Sequence, residues 1–62
     1  MADSDADIDA LARAMIRNFP ADAAGRAASR SSLFAALGRI ETSCKWSRVS
    51  EEIERIQTGS VA

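Results

Sequence analysis

The sequence predicts an all-α domain of three helices, in which a short amphipathic first helix packs across an antiparallel hairpin made by the second and third. Three observations predict it. Apolar residues recur at three- and four-residue steps in three separate segments. Pro20 and Gly38 interrupt the chain between those segments, where one helix stops and another starts. No run alternates apolar and polar residues, and neither Asn-Gly nor Asp-Gly marks a β-hairpin. A chain of 62 residues is one domain, and 47% apolar against 27% charged residues is the composition of a globular chain rather than a disordered one.

The first helix is expected over residues 5–18. Ile8, Leu11, Ala12, Met15, Ile16 and Phe19 form one continuous stripe at helical spacing. Ser4 or Asp5 suits the cap, and the aspartates suit the positive end of the helix dipole. Pro20 ends the helix by driving Phe19 out of the α region.

The second helix is expected over residues 21–37. Pro20 stands at its entry and Gly38 just past its end. It is rich in alanine, which lets another helix approach closely, and its larger apolar side chains (Leu33, Phe34 and Leu37) gather near its C-terminal end. Gly25 inside it costs about 1 kcal/mol relative to alanine.

The third helix is expected over residues 40–57, on Trp46, Val49, Ile53 and Ile56, a seam with steps of three and four. Gly59 suits its stop, and residues 60–62 are expected to fray. The short break at Gly38 folds the second and third helices back on one another. Acid-first pairs at i,i+4 (Asp9–Arg13, Asp22–Arg26, Glu41–Lys45 and Glu51–Arg55) support the helices by a few tenths of a kcal/mol each.

The inventory excludes several function classes. Without histidine there is no imidazole base and no imidazole metal ligand, so Ser-His and Cys-His nucleophile pairs cannot form within the chain. One cysteine makes no intrachain disulfide and a poor zinc site, which fits a reducing compartment. The ladder Asp3, Asp5, Asp7, Asp9 fails as a calcium loop, because Ile8 and Ala14 stand where such a loop needs Gly and Glu. The acidic start is unlike a signal peptide, and no window approaches the roughly 18–20 apolar residues of a membrane span. The expectation is a cytoplasmic, non-catalytic protein with no cofactor and no metal.

Charge is segregated. Four aspartates open the chain, and residues 11–50 hold seven basic residues against Asp22 and Glu41. Arg26, Arg30, Arg39, Lys45 and Arg48 are the candidate residues for a partner or an anion. Arg30 lies on the stripe Ala23, Ala27, Phe34, Leu37, with its stem on or beside the buried face and its head reaching outward. Trp46 is expected to anchor the core, Cys44 to be a partly buried filler, and Arg26 to Ser32 to be ordinary helix surface. The stretch from Phe34 to Trp46 has the outline of a helix-turn-helix. However, Phe34 and Cys44 stand where alanine and a larger apolar residue are usual, and Glu41 repels phosphate where recognition would begin.

Leu11-Ala12-Arg13-Ala14-Met15-Ile16, then Phe19, Asp22-Ala23-Ala24, Arg30, Gly38 and Trp46-Ser47-Arg48-Val49 leading to Ile53-Glu54-Arg55-Ile56-Gln57 resemble a group of short uncharacterised alphaproteobacterial all-helical proteins. The resemblance covers residues 11–57. It departs at Pro20 and Thr42, where glycine is usual, and at Arg39, where a turn aspartate is usual. It implies a small helical fold and no activity or site residues.

Three short helices are expected to leave part of Phe19, Phe34, Leu37, Trp46 and Ile53 uncovered. The expected function is therefore a helical protein-interaction module, engaging a protein partner or forming a homodimer, with monomer and homodimer equally open. The alternative is a small nucleic-acid-associated regulator using the basic residues of the second and third helices.

Overall fold

The computed structural model describes residues 5–59. Three helices make up the fold: α1 (Asp5–Asn18), α2 (Ala23–Ala36) and α3 (Ile40–Gly59). The hairpin partners α2 and α3 pack most extensively, α1 lies mainly on α3, and α1 meets α2 least. The capping expected of Ser4 or the Asp5 side chain, and the fraying expected of residues 60–62, lie outside the described residues.

The first connection is a single turn. Phe19 N–H still donates to Met15 C=O at 2.7 Å, and Asp22 N–H then donates to Phe19 C=O at 3.2 Å. Pro20 occupies the second position of that turn, which its fixed φ favours. This corrects the expected start of the second helix: Ala21 and Asp22 belong to the turn, and α2 opens at Ala23. Asp22 stands at the cap position without capping, because its carboxylate instead accepts a hydrogen bond from Arg26 Nε at 3.2 Å. Gln57 Nε2 donates to Pro20 C=O at 3.1 Å and ties this turn to α3.

The second connection is a glycine stop. Arg39 N–H reaches Phe34 C=O at 2.8 Å and Gly38 N–H reaches Ala35 C=O at 3.0 Å, the paired bonds of a Schellman motif. Gly38 takes φ +80 to make them. Leu37 is therefore the cap of α2 rather than its last residue. Arg39 C=O accepts the first bond of α3 from Ser43 N–H at 2.9 Å. At its other end α3 runs through Gly59, two residues past the expected stop.

Two glycine substitutions have opposite expected signs. Nothing lies within 4 Å of a Cβ built on either Gly25 or Gly38, so the backbone decides both. Gly38→Ala forces a left-handed conformation on an L-residue and is expected to cost about 1–2 kcal/mol. Gly25→Ala improves a helix interior and is expected to gain about 0.5–1 kcal/mol. Urea unfolding of both variants checks the pair, and equal shifts would contradict the assigned turn.

The core is Ile8, Ala12 and Met15 from α1, Ala23 and Ala27 from α2, and Val49 and Ile53 from α3. Leu11, Ile16, Phe19, Ala24, Trp46 and Ile56 pack around it half-buried. The stripe of the first helix and the seam of the third thus face inward as expected, and Trp46 lies at the core's edge. All of these core residues sit at one end of the hairpin. No residue from Ala28 to Arg48 is buried.

Candidate functional site

That one-sided core follows from helix length. With 14 residues α1 spans about 21 Å, whereas the 20 residues of α3 span about 30 Å. The hairpin therefore projects past the end that α1 covers, and the molecule is elongated, 37 × 24 × 17 Å.

Serines hold the projecting end together. Ser31 Oγ donates to Ser43 C=O at 2.9 Å, and Ser43 Oγ donates to Ser31 C=O at 2.8 Å. Each hydroxyl has one proton, so the 3.1 Å approach of the two oxygens is a contact, and Ser47 donates to Ser31 Oγ at 2.6 Å. Nearer the core, Ser50 Oγ donates to Ala24 C=O at 3.1 Å. The expectation that Arg26 to Ser32 is ordinary helix surface is corrected at Ser31, which is an interhelical residue. Ser43, Ser47 and Ser50 run beside the apolar seam of α3, but their spacing marks a clasp only once the pairing with α2 is known.

Polar clasping leaves the large apolar residues outside. Leu33, Leu37 and Ile40 are 55%, 64% and 61% exposed. Phe34 is half-buried. Of the residues expected to be incompletely covered, Ile53 is a correction: it is fully buried, because α1 reaches its level of α3. Phe19 and Trp46 are half-buried, and Leu37 is exposed. Cys44 is also corrected, from partly buried filler to exposed thiol, because its position falls off the Trp46–Val49–Ile53 seam.

Four of the five candidate cations line three separate depressions. Arg26 and Arg30 share a depression with Asp22, Gly25, Ser29 and Leu33. Arg48 lines a second with Ile8, Asp9, Glu51, Glu52 and Arg55. Arg39 lines a third at the hairpin turn, with Ile40 and Glu41 among its neighbours. Lys45 is half-buried. Arg30 is exposed, and its guanidinium lies over the Trp46 ring, 5.2 Å from the centroid. Arg26 similarly lies over Phe19 at 4.2 Å. Neither stacking partner was visible in the sequence, because Phe19 and Trp46 belong to other segments.

In the second depression the expected pairing is shifted by one residue. Arg55 grips Glu52 at i,i+3, through Nε to Oε1 at 3.0 Å and through Nη2 to Oε2, where the spacing predicts Glu51. The pairs Asp9–Arg13 and Asp22–Arg26 form as expected. The hydrogen bond from Arg55 holds the Glu52 carboxyl below the usual carboxylate range, against the opposing effects of desolvation and Asp9. Glu52 is thus ionised at neutral pH, the reverse of what a general acid needs.

A depressed carboxylate stabilises the fold above its unfolded pKa, about 4.3 for Glu, and that contribution is lost as pH falls through the lower folded value. Glu52→Gln is expected to flatten the acid limb of a stability–pH profile measured by urea unfolding. An unchanged acid limb would contradict the Arg55–Glu52 linkage.

Among the described residues, no group of three or more Cys, Asp or Glu side chains is placed to hold a metal ion, and no helix is long and apolar enough to cross a membrane. No protein-family model matches the chain, and neither a curated protein nor a solved structure matches it significantly.

Proposed function

We propose that this chain is a non-catalytic helical interaction module of the bacterial cytoplasm, which engages a protein partner, or a second copy of itself, through the projecting end of the α2–α3 hairpin. One observation carries the reading: Leu33, Leu37 and Ile40 each expose more than half of their surface on the part of the hairpin that α1 does not cover. Full burial of such a side chain contributes roughly 1.5–3 kcal/mol, and most of that remains unrealised in the isolated chain. Large side chains gathered at one end of an otherwise alanine-rich helix indicate a surface completed by association. The bacterial setting draws on the resemblance of residues 11–57, and the cytoplasmic setting on a single, exposed, unpaired cysteine.

The nucleic-acid alternative requires a continuous cationic track. The division of Arg26, Arg30, Arg39 and Arg48 among three depressions weighs against it.

The test is affinity capture from native lysate with the tagged chain, at low and moderate salt, with and without nuclease, alongside the Leu33→Ser, Leu37→Ser double variant. A defined protein, or the untagged chain itself, is expected under all conditions with the parent and is expected to vanish with the variant. Recovery of nucleic acid that nuclease or moderate salt abolishes would replace this reading with the alternative.

A further inference from the structure

Arginine and leucine coincide on one stripe of α2. Positions 26, 30, 33 and 37 are spaced by four, three and four, so Arg26, Arg30, Leu33 and Leu37 fall along one side of the helix, next to the buried line of Ala23 and Ala27. The C-terminal half of the stripe is apolar and exposed. The N-terminal half is cationic, and both cations are held in place by aromatic rings from other parts of the chain, Phe19 under Arg26 and Trp46 under Arg30. A guanidinium lying over a ring keeps N–H groups for a planar acceptor, and a side chain restrained by that contact loses less freedom on binding. Arg26 already uses Nε on Asp22, whereas Arg30 has no carboxylate partner among the described residues.

We infer that this stripe is the docking surface for an acidic amphipathic helix of another protein, whose apolar residues seat on Leu33 and Leu37 and whose carboxylates meet Arg30 and then Arg26. The inference rests on the interaction-module reading and narrows its partner. Charge selects the occupant. The stripe carries no Asp or Glu between Asp22 and Glu41, so a second copy laid parallel on the two leucines brings Arg30 no carboxylate, and an antiparallel copy offers only Glu41 at the hairpin turn. A nucleic acid supplies the anion but leaves the leucines in water. A helix with apolar residues one turn apart, and acids one turn apart beside them, satisfies both halves.

The probe is a fluorescein-labelled, alanine-rich helical peptide of about 16 residues. It carries two leucines one turn apart and two glutamates one turn apart on the same face, made in both orders along the peptide, with matched versions bearing lysine for glutamate. Anisotropy titrations use the full chain, and circular dichroism confirms that each variant is folded. One acidic peptide is expected to bind at least about tenfold more tightly than its lysine counterpart. The Leu33→Ser, Leu37→Ser variant is expected to lose about tenfold or more. Arg30→Glu is expected to lose the acidic peptide and gain the lysine one.

Equal binding of acidic and lysine peptides through the leucines would overturn the acidic partner and leave the module reading standing. So would failure of every peptide together with a concentration-dependent dimer, seen by sedimentation and abolished by the leucine variant. Failure of every peptide with a monomer at all concentrations would overturn both. A labelled oligonucleotide that binds the parent but not Arg30→Glu would assign the cations to nucleic acid.

Discussion

Ile53→Ala is expected to remove about 3–4 kcal/mol of unfolding free energy, within the range for truncating a fully buried Ile or Leu. Ile53 and Val49 are the largest fully buried side chains, and the rest of the fully buried core is alanine. The three core alanines have no rotamers with which to fill the cavity, so relaxation rests on Ile8 and Met15 and the half-buried side chains around them. A single core of this size rarely supplies more than about 3–5 kcal/mol, so the variant is expected to be largely unfolded at room temperature. Far-ultraviolet circular dichroism in a urea titration reads this directly. Two companions calibrate it. Ile56→Ala, at a half-buried position, is expected to cost roughly half as much, and Ile40→Ala, at a position 61% exposed, about 0.5 kcal/mol or less. A loss below about 1 kcal/mol at Ile53, or comparable losses at all three positions, would mean that the hairpin is not packed as described.

The same gradient explains how far the fold was legible in the residues. The first helix was legible because Ile8, Leu11, Ala12, Met15 and Ile16 repeat with the helical period over its whole length, and a short helix with one apolar stripe has one way to pack. Pro20 and Gly38 located the breaks because their backbone constraints are local. The opening of α2 at Ala23 rather than Ala21 follows from the same proline, which serves the turn before the helix instead of the helix itself. Long-range consequences were harder to read. The spacing puts Ala23, Ala27, Phe34 and Leu37 on one stripe of α2, and the structure buries only its first half: Ala23 and Ala27 are in the core, Phe34 is half-buried and Leu37 is exposed. Which half of a hairpin a third helix covers depends on relative lengths and on the direction of the first turn, and neither is encoded at positions 33 or 37.

The candidate site shows the same division. Arg26 and Arg30 were identifiable as neighbouring cations one turn apart. Their stacking on Phe19 and Trp46 requires the tertiary fold, as does the clasp among Ser31, Ser43 and Ser47. Serine in a helix more often faces solvent, so only a matched register of small residues on two helices separates a clasp from a surface. That match cannot be recognised until the pairing of the helices is known.

Ala27→Leu tests this role of small residues and is expected to cost about 1–3 kcal/mol, despite adding apolar surface and keeping a good helix former. Ala27 is 0% exposed in the core to which all three helices contribute, so three extra carbons have no space unless a helix moves. Moving α2 away from α3 also stretches the bond from Ser50 to Ala24 C=O, one turn from the insertion, so the cost includes polar as well as steric terms. The adjacent Ala28→Leu makes the same chemical change on the exposed side of α2 and is expected to stay within about 0.5 kcal/mol of the parent. Urea midpoints of the two variants separate the explanations. If both are neutral, the alanines of α2 are not a close-approach surface. If only Ala27→Leu falls, the alanine-rich sequence is what brings the hairpin together, and the leucines further along α2 remain available for a partner.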